Sequence, residues 1–169
     1  MSSISQSQIL VNALGTMFGA GNLQKPQLDL AFQENYTIAN GTGANQADVI
    51  WQDKRTLAAS ASESLDLQTG ALADSFGATL TLSKIKAIII AADAANTNDV
   101  QVGGAGANAI TAPFGSGTDY VAIQPGGILV LVNPTSGGYL VDGTHKLLKV
   151  ANSAGTTGVT YSIIIFGVE

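Results

Sequence analysis

Short runs in which apolar and polar residues alternate, cut at close intervals by glycine, proline and asparagine, leave this chain little to fold into except β-structure. A strand sends successive side chains to opposite faces, so a period of two marks a strand with one covered face. Leu28, Leu30 and Phe32 alternate with Asp29, Ala31 and Gln33, and Tyr36 and Ile38 continue the parity to a break at Asn40-Gly41. Further runs are expected over residues 48–59, 63–67, 76–92, 100–103, 109–111, 120–124, 127–133, 138–141, 145–151 and 158–168. Pro125-Gly126 suits a type II turn, with a fixed φ followed by a residue that accepts a positive one. Asp142-Gly143 is a hairpin signal joining Tyr139-Leu140-Val141 to the residues after Thr144.

Two runs carry internal conflicts. Val49, Trp51, Asp53, Arg55 and Leu57 share one parity, so the inward face is expected to change or the strand to bend. Phe76, Ala78, Leu80 and Leu82 share a parity that next falls on Lys84 and Lys86. Burying two unpaired ammonium groups is prohibitive, which predicts a bulge or turn at Ser83-Lys84 that resets the phase. Residues 86–92 and the second half of the final run are apolar on both parities and are expected to be covered on both faces. With no internal repeat, the pattern points to an all-β chain, a β-sandwich of jelly-roll type.

Residues 1–25 read differently. Ile4, Ile9, Leu10, Leu14, Met17 and Phe18 recur at loosely helical spacing, weakened by Gly15, Gly19 and Gly21, before Pro26 closes the section. This is expected to be an extended or partly helical arm, either a disordered leader or a segment that orders against a neighbour, ahead of a single sandwich domain over 26–169. Its six apolar residues are the candidate assembly contacts.

Composition narrows the function. Only 11% of the residues are charged, about half the usual share, and a sparsely charged surface suits contact with neighbouring subunits. Twelve acidic against seven basic residues give a net charge of −5, and the basic ones are scattered, which argues against a nucleic-acid backbone as partner. With no cysteine, neither disulfides nor thiolate chemistry is available. No basic residue precedes Lys25, so no export signal is expected, and the apolar run over 87–92 is far short of the ~20 residues of a membrane-spanning helix.

Candidate sites are few. His145, the single histidine, follows a turn, where a solvated side chain accounts for it better than a triad does. Asp93, Asn96, Asn98 and Asp99 give a density of oxygens seen in calcium loops, but without EF-hand spacing. The glycine-rich stretch from Gly103 to Asn108 resembles one unit of a calcium β-roll, with asparagine in place of the aspartate, but such rolls need tandem copies. Asp48, Asp53, Glu63 and Asp66 could supply a glycosidase pair, although Trp51, the only tryptophan, is expected in the core. No enzyme activity and no cofactor or metal is expected.

The series Trp51-Gln52-Asp53-Lys54-Arg55-Thr56-Leu57-Ala58-Ala59, Ser64-Leu65-Asp66-Leu67, Phe76-Gly77-Ala78-Thr79-Leu80, Lys84-Ile85-Lys86-Ala87, Asn96-Thr97-Asn98-Asp99-Val100, Pro113-Phe114, Pro125-Gly126-Gly127 and Leu148-Lys149-Val150-Ala151-Asn152-Ser153 resembles small structural proteins of tailed bacteriophages. The resemblance covers residues 46–169. It implies a β-sandwich that decorates or cements the head, bridging subunits of the major capsid protein in many copies. It implies a virion location after synthesis in the host cytoplasm, with the capsid protein and copies of itself as partners. A tail, baseplate or fibre-associated protein is the alternative within the same class, and a carbohydrate-binding module is a more remote one.

Overall fold

The computed structural model describes residues 4–169, so the first three residues of the expected arm lie outside the described residues. Twelve strands run in the order β1 (Ser7–Phe18), β2 (Gln27–Asn40), β3 (Gln46–Ala47), β4 (Val49–Leu57), β5 (Ser62–Asp66), β6 (Lys84–Ala92), β7 (Val100–Gly103), β8 (Tyr120–Ile123), β9 (Ile128–Val132), β10 (Tyr139–Leu140), β11 (Leu147–Asn152) and β12 (Val159–Val168). Two sheets face each other: one runs β4-β12-β6-β9, with β10 beside the start of β6, and the other β5-β11-β7-β8. Counted along the eight long strands of the body, the first sheet holds the first, eighth, third and sixth, and the second holds the second, seventh, fourth and fifth. That is the double Greek-key order of a jelly roll.

The inner faces meet in one core, in which Trp51, Ile88, Ile90, Tyr161, Ile163 and Ile165 from one sheet pack with Leu65, Val100, Val102, Leu148 and Val150 from the other. Pro125-Gly126 turns as its chemistry demands: Gly126 has a φ of 77° and the Gly127 amide donates to Gln124 O at 2.8 Å. Asp142-Gly143 also turns, with reciprocal backbone bonds between Asp142 and His145. The flanking strands do not extend this pairing, because β10 lies on β6 while β11 belongs to the opposite sheet. The turn carries the chain from one sheet to the other.

The two internal conflicts are resolved differently. The strand β4 pairs with β12 without any shift of register, so its inward face does not change. Arg55 stays on that parity at the rim of the sandwich, where its guanidinium meets Glu63 at 2.6 Å and Asp53 at 2.7 Å. Charge on an inward parity is tolerated there because a neighbouring strand supplies the counter-charge.

In the other run, regular pairing begins only at Lys84, and Phe76 is exposed while Leu80 and Leu82 are buried. Leu82 and Ile85 both reach the inner core, so the phase does reset at Ser83-Lys84. A second reset follows: Phe166 pairs with Ala87 and Gly167 with Ile85, which leaves Lys86 as the extra residue of a bulge. Lys86 is 1% exposed, its ammonium donating to the carbonyls of Gly43, Thr135 and Ser136. The lysine is buried because all three of its donors are satisfied.

Among the described residues the arm has no helical turn and forms the first strand of a β-hairpin. Along its length, Ser7 pairs with Ile38 and Phe18 with Gln27, and the boundary expected between residues 25 and 26 falls in its closing turn. Period two, not the loosely helical spacing, describes β1, since its glycines disfavour a helix and its partner strand satisfies the backbone.

Candidate functional site: an uncovered β-hairpin

Residues opposite each other in an antiparallel pair share a face. One face of the hairpin is therefore built from the pairs Ile9/Tyr36, Val11/Glu34, Ala13/Phe32, Gly15/Leu30 and Met17/Leu28. The other carries Gln8/Thr37, Leu10/Asn35, Asn12/Gln33, Leu14/Ala31, Thr16/Asp29 and Phe18/Gln27. The first is almost wholly apolar. The second is a polar surface crossed by Leu10, Leu14 and Phe18, with side-chain hydrogen bonds from Gln8 to Asn35 and from Thr16 to Asp29.

The root of the hairpin is anchored to the body. Ile4, Ile9 and Ile38 join Ala47, Ala87 and Phe166 in a second core, against which Tyr36, Ile50, Ile89, Val130, Val132 and Ile164 pack. These body residues form the outer surface of the β4-β12-β6-β9 sheet, which is why β6 and β12 are apolar on both parities. Lys86 fastens the same place through Gly43, and the Asn45 amide donates to Pro134 O at 2.7 Å. The Ile4 amide is held by the Asn40 side chain.

Beyond this root every residue from Leu10 to Phe18 and from Gln27 to Asn35 is exposed. Leu14, Met17, Phe18 and Leu28 are each about two-thirds exposed or more, at 71%, 69%, 66% and 66%. The apolar face thus begins inside a core and continues into solvent without a cover. A two-stranded hairpin is marginal in water unless something packs on it, so this face is incomplete in the isolated chain.

The six residues singled out from sequence fall into three groups. Ile4 and Ile9 are buried in the second core; Met17 lies on the apolar face; Leu10, Leu14 and Phe18 lie on the opposite one. Sequence reasoning missed Val11, Leu28, Leu30 and Phe32. Their alternation was legible, but nothing in it distinguishes a strand covered by its own domain from one left uncovered.

The other candidates have structural partners. Asp142 accepts hydrogen bonds from the Thr144 amide and hydroxyl and lies 3.0 Å from His145 Nδ1, which holds its carboxyl down at about 2. Asn96 clamps Thr160 through both its amide atoms, and Asn98 is buried against Asn152 and the carbonyl of Thr157. Asp93 bonds the Ala95 amide and pairs with Lys54. Among the described residues no group of three His, Cys, Asp or Glu is placed to hold a metal ion. Gly103, Gly104 and Gly106 have positive φ in the loop that leaves β7.

The four carboxylates do not converge on a groove. Glu63 and Asp53 flank Arg55, Asp66 pairs with Lys146 at 3.0 Å, and Asp48 accepts the Glu169 amide. Burial opposes ionisation of Asp66, but the Gln68 amide, Lys146 and the Thr69 amide outweigh it and hold its carboxyl below the ordinary range. Trp51 is buried, donating its indole N–H to Ala73 O at 3.1 Å, and offers no exposed ring on which a sugar could stack.

No family model matches this chain, and no curated protein is detectably similar to it.

Proposed function

We propose that this chain is a non-enzymatic structural protein of a tailed-phage particle, a decoration or cement protein that attaches to the head and bridges subunits of the major capsid protein. The observation that carries the reading is the uncovered hairpin: a rigidly rooted, apolar projection whose cost in solvent is offset only when a neighbour covers it. Its length supports a bridging role, since the stretch of β1 from Leu10 to Phe18 that projects beyond the root reaches about 30 Å at ~3.3 Å per residue, most of the width of a domain of this size. The sparse charge of the chain and the series of strand edges and turns that resembles phage structural proteins support the same reading. A jelly roll alone favours neither this nor sugar binding, because that body serves both.

Many copies on one lattice make modest contacts sufficient. The test is cosedimentation of the purified chain with phage heads prepared without it. Wild-type protein is expected to sediment with the heads, and a variant with Leu10, Leu14, Met17 and Phe18 changed to serine is expected to stay in the supernatant. Equal binding by the two proteins, or no binding by the wild type, would overturn the proposal.

A further inference from the structure

We propose that the outer face of the β5-β11-β7-β8 sheet carries a saccharide-binding site, selective for a sugar unit that bears a carboxylate. Along β11 and β7 the buried Leu148, Val150, Val100 and Val102 alternate with Lys149, Ala151, Gln101 and Gly103, which therefore look outward. Register partners share that face: Ser64 lies opposite Lys149, Ala151 opposite Gln101, and Tyr120 opposite Gly103. The small Gly103, Gly104 and Ala151, together with Gln101, Tyr120 and Lys149, line a shallow depression of about 260 Å³. The chain itself keeps it open. Both glycines have positive φ, and a Cβ on Gly103 would come within 2.5 Å of the Asp119 carbonyl.

The polar groups at this depression are unspent. Among the described residues the side chains of Gln101, Tyr120 and Lys149 have no hydrogen-bond or ion-pair partner. The other cations of the sandwich are engaged: Lys54 meets Asp93, Arg55 meets Asp53 and Glu63, Lys146 meets Asp66, and Lys84 and Lys86 donate to carbonyls. Lys149 is half-buried and still unpaired. Tyr120 is 55% exposed and presents both a ring and a hydroxyl. Such a ring takes the C–H face of a pyranose, an amide bonds its hydroxyls, and an unpaired ammonium selects a carboxylate. The site also faces away from the hairpin root, which packs on the outer surface of the opposite sheet. A chain held by its hairpin leaves this face free.

Two-dimensional NMR of the full chain, titrated with tetragalacturonate and with a hyaluronate tetrasaccharide, tests this. Saturable shifts are expected at residues 101–104, 118–120 and 149 with at least one of the two. The methyl ester of the sugar that binds, which keeps the rings and removes the charge, is expected to bind about tenfold more weakly, as are Lys149→Met and Tyr120→Ala with the acid form. Lys149→Met should keep the wild-type melting temperature, because that side chain bonds nothing within the chain. No saturable shift with either sugar, shifts confined to other residues, or equal affinity of the Lys149→Met protein and the wild type would overturn the site. Lys149→Met is expected to cosediment with heads as wild type does, so a sugar site that fails leaves the proposed function standing, and the reverse holds too.

Discussion

The ammonium of Lys86 donates to the carbonyl of Gly43 at 3.1 Å, and this bond joins the bulge of a central strand to the loop beneath the hairpin. With Thr135 and Ser136 also accepting, one buried cation gathers the root of the hairpin, the β9–β10 loop and the sheet. Burial, with Lys84 nearby, pushes the Lys86 ammonium below its ordinary range, so its charge is held there against a desolvation cost by the carbonyls.

Replacing Lys86 by methionine would leave those carbonyls without their donor. A loss of about 2–3 kcal/mol is expected in denaturant unfolding. Amide hydrogen exchange should accelerate first over residues 41–46. An unchanged midpoint with unchanged exchange there would show that the lysine does not hold the root.

Tyr161 donates its hydroxyl to Glu63 at 2.7 Å from within the core. Burial above all, then the bond to Glu63, raises its pKa far beyond the ordinary phenol range. Because the folded value lies above the unfolded one, this stability is fully present below a pH of about 10 and is lost as pH rises further. An alkaline absorbance titration should find one tyrosine silent until the chain unfolds. The Tyr161→Phe variant should lose that silent group and about 1 kcal/mol of stability.

At acid pH the sign reverses. Asp142, held at about 2 first by the Thr144 amide, contributes stability that is present above the unfolded carboxylate value of about 4 and lost as pH falls through about 2. Asp66 is shifted in the same direction. Melting temperature should therefore decline between those limits, and Asp142→Asn should flatten the decline. A variant with the wild-type slope would contradict this.

The Asn98–Asn152 pair is buried, with Asn98 Nδ2 donating to Asn152 Oδ1 at 3.0 Å and both side chains bonded to Thr157 O. Asn98→Ala is expected to cost about 2 kcal/mol, since it strands buried partners. Added calcium should leave the wild-type melting temperature unchanged, because the asparagines of this loop are engaged in holding the chain. A calcium-dependent rise would revive the cation-loop reading.

The fold was legible wherever one residue type admits one backbone solution. The Pro125-Gly126 turn and the doubly apolar strands β6 and β12 follow from local chemistry and appear in the structure. What was not legible depended on tertiary partners: Arg55 is kept on an inward parity by Glu63 of the next strand, and Lys86 is buried by carbonyls from two distant loops. The hairpin is the sharpest case. The alternation from Leu28 to Ile38 marks a strand with an apolar face, but only its pairing with β1 reveals that Ile38 lies in a core while Leu28 and Leu30 lie in solvent. Helical spacing in β1 misled for the same reason, since pairing across 27 residues from Gln8 to Asn35 outweighs a weak local preference.

The most direct measurement of the proposed function is a cryo-EM reconstruction of the particle to which the proposal assigns this chain. The account predicts density for the sandwich repeated over the head lattice, with the hairpin residues from Leu10 to Phe18 and from Gln27 to Asn35 covered by neighbouring subunits. A hairpin still bare to solvent in the assembled particle, or a particle without this chain, would contradict it.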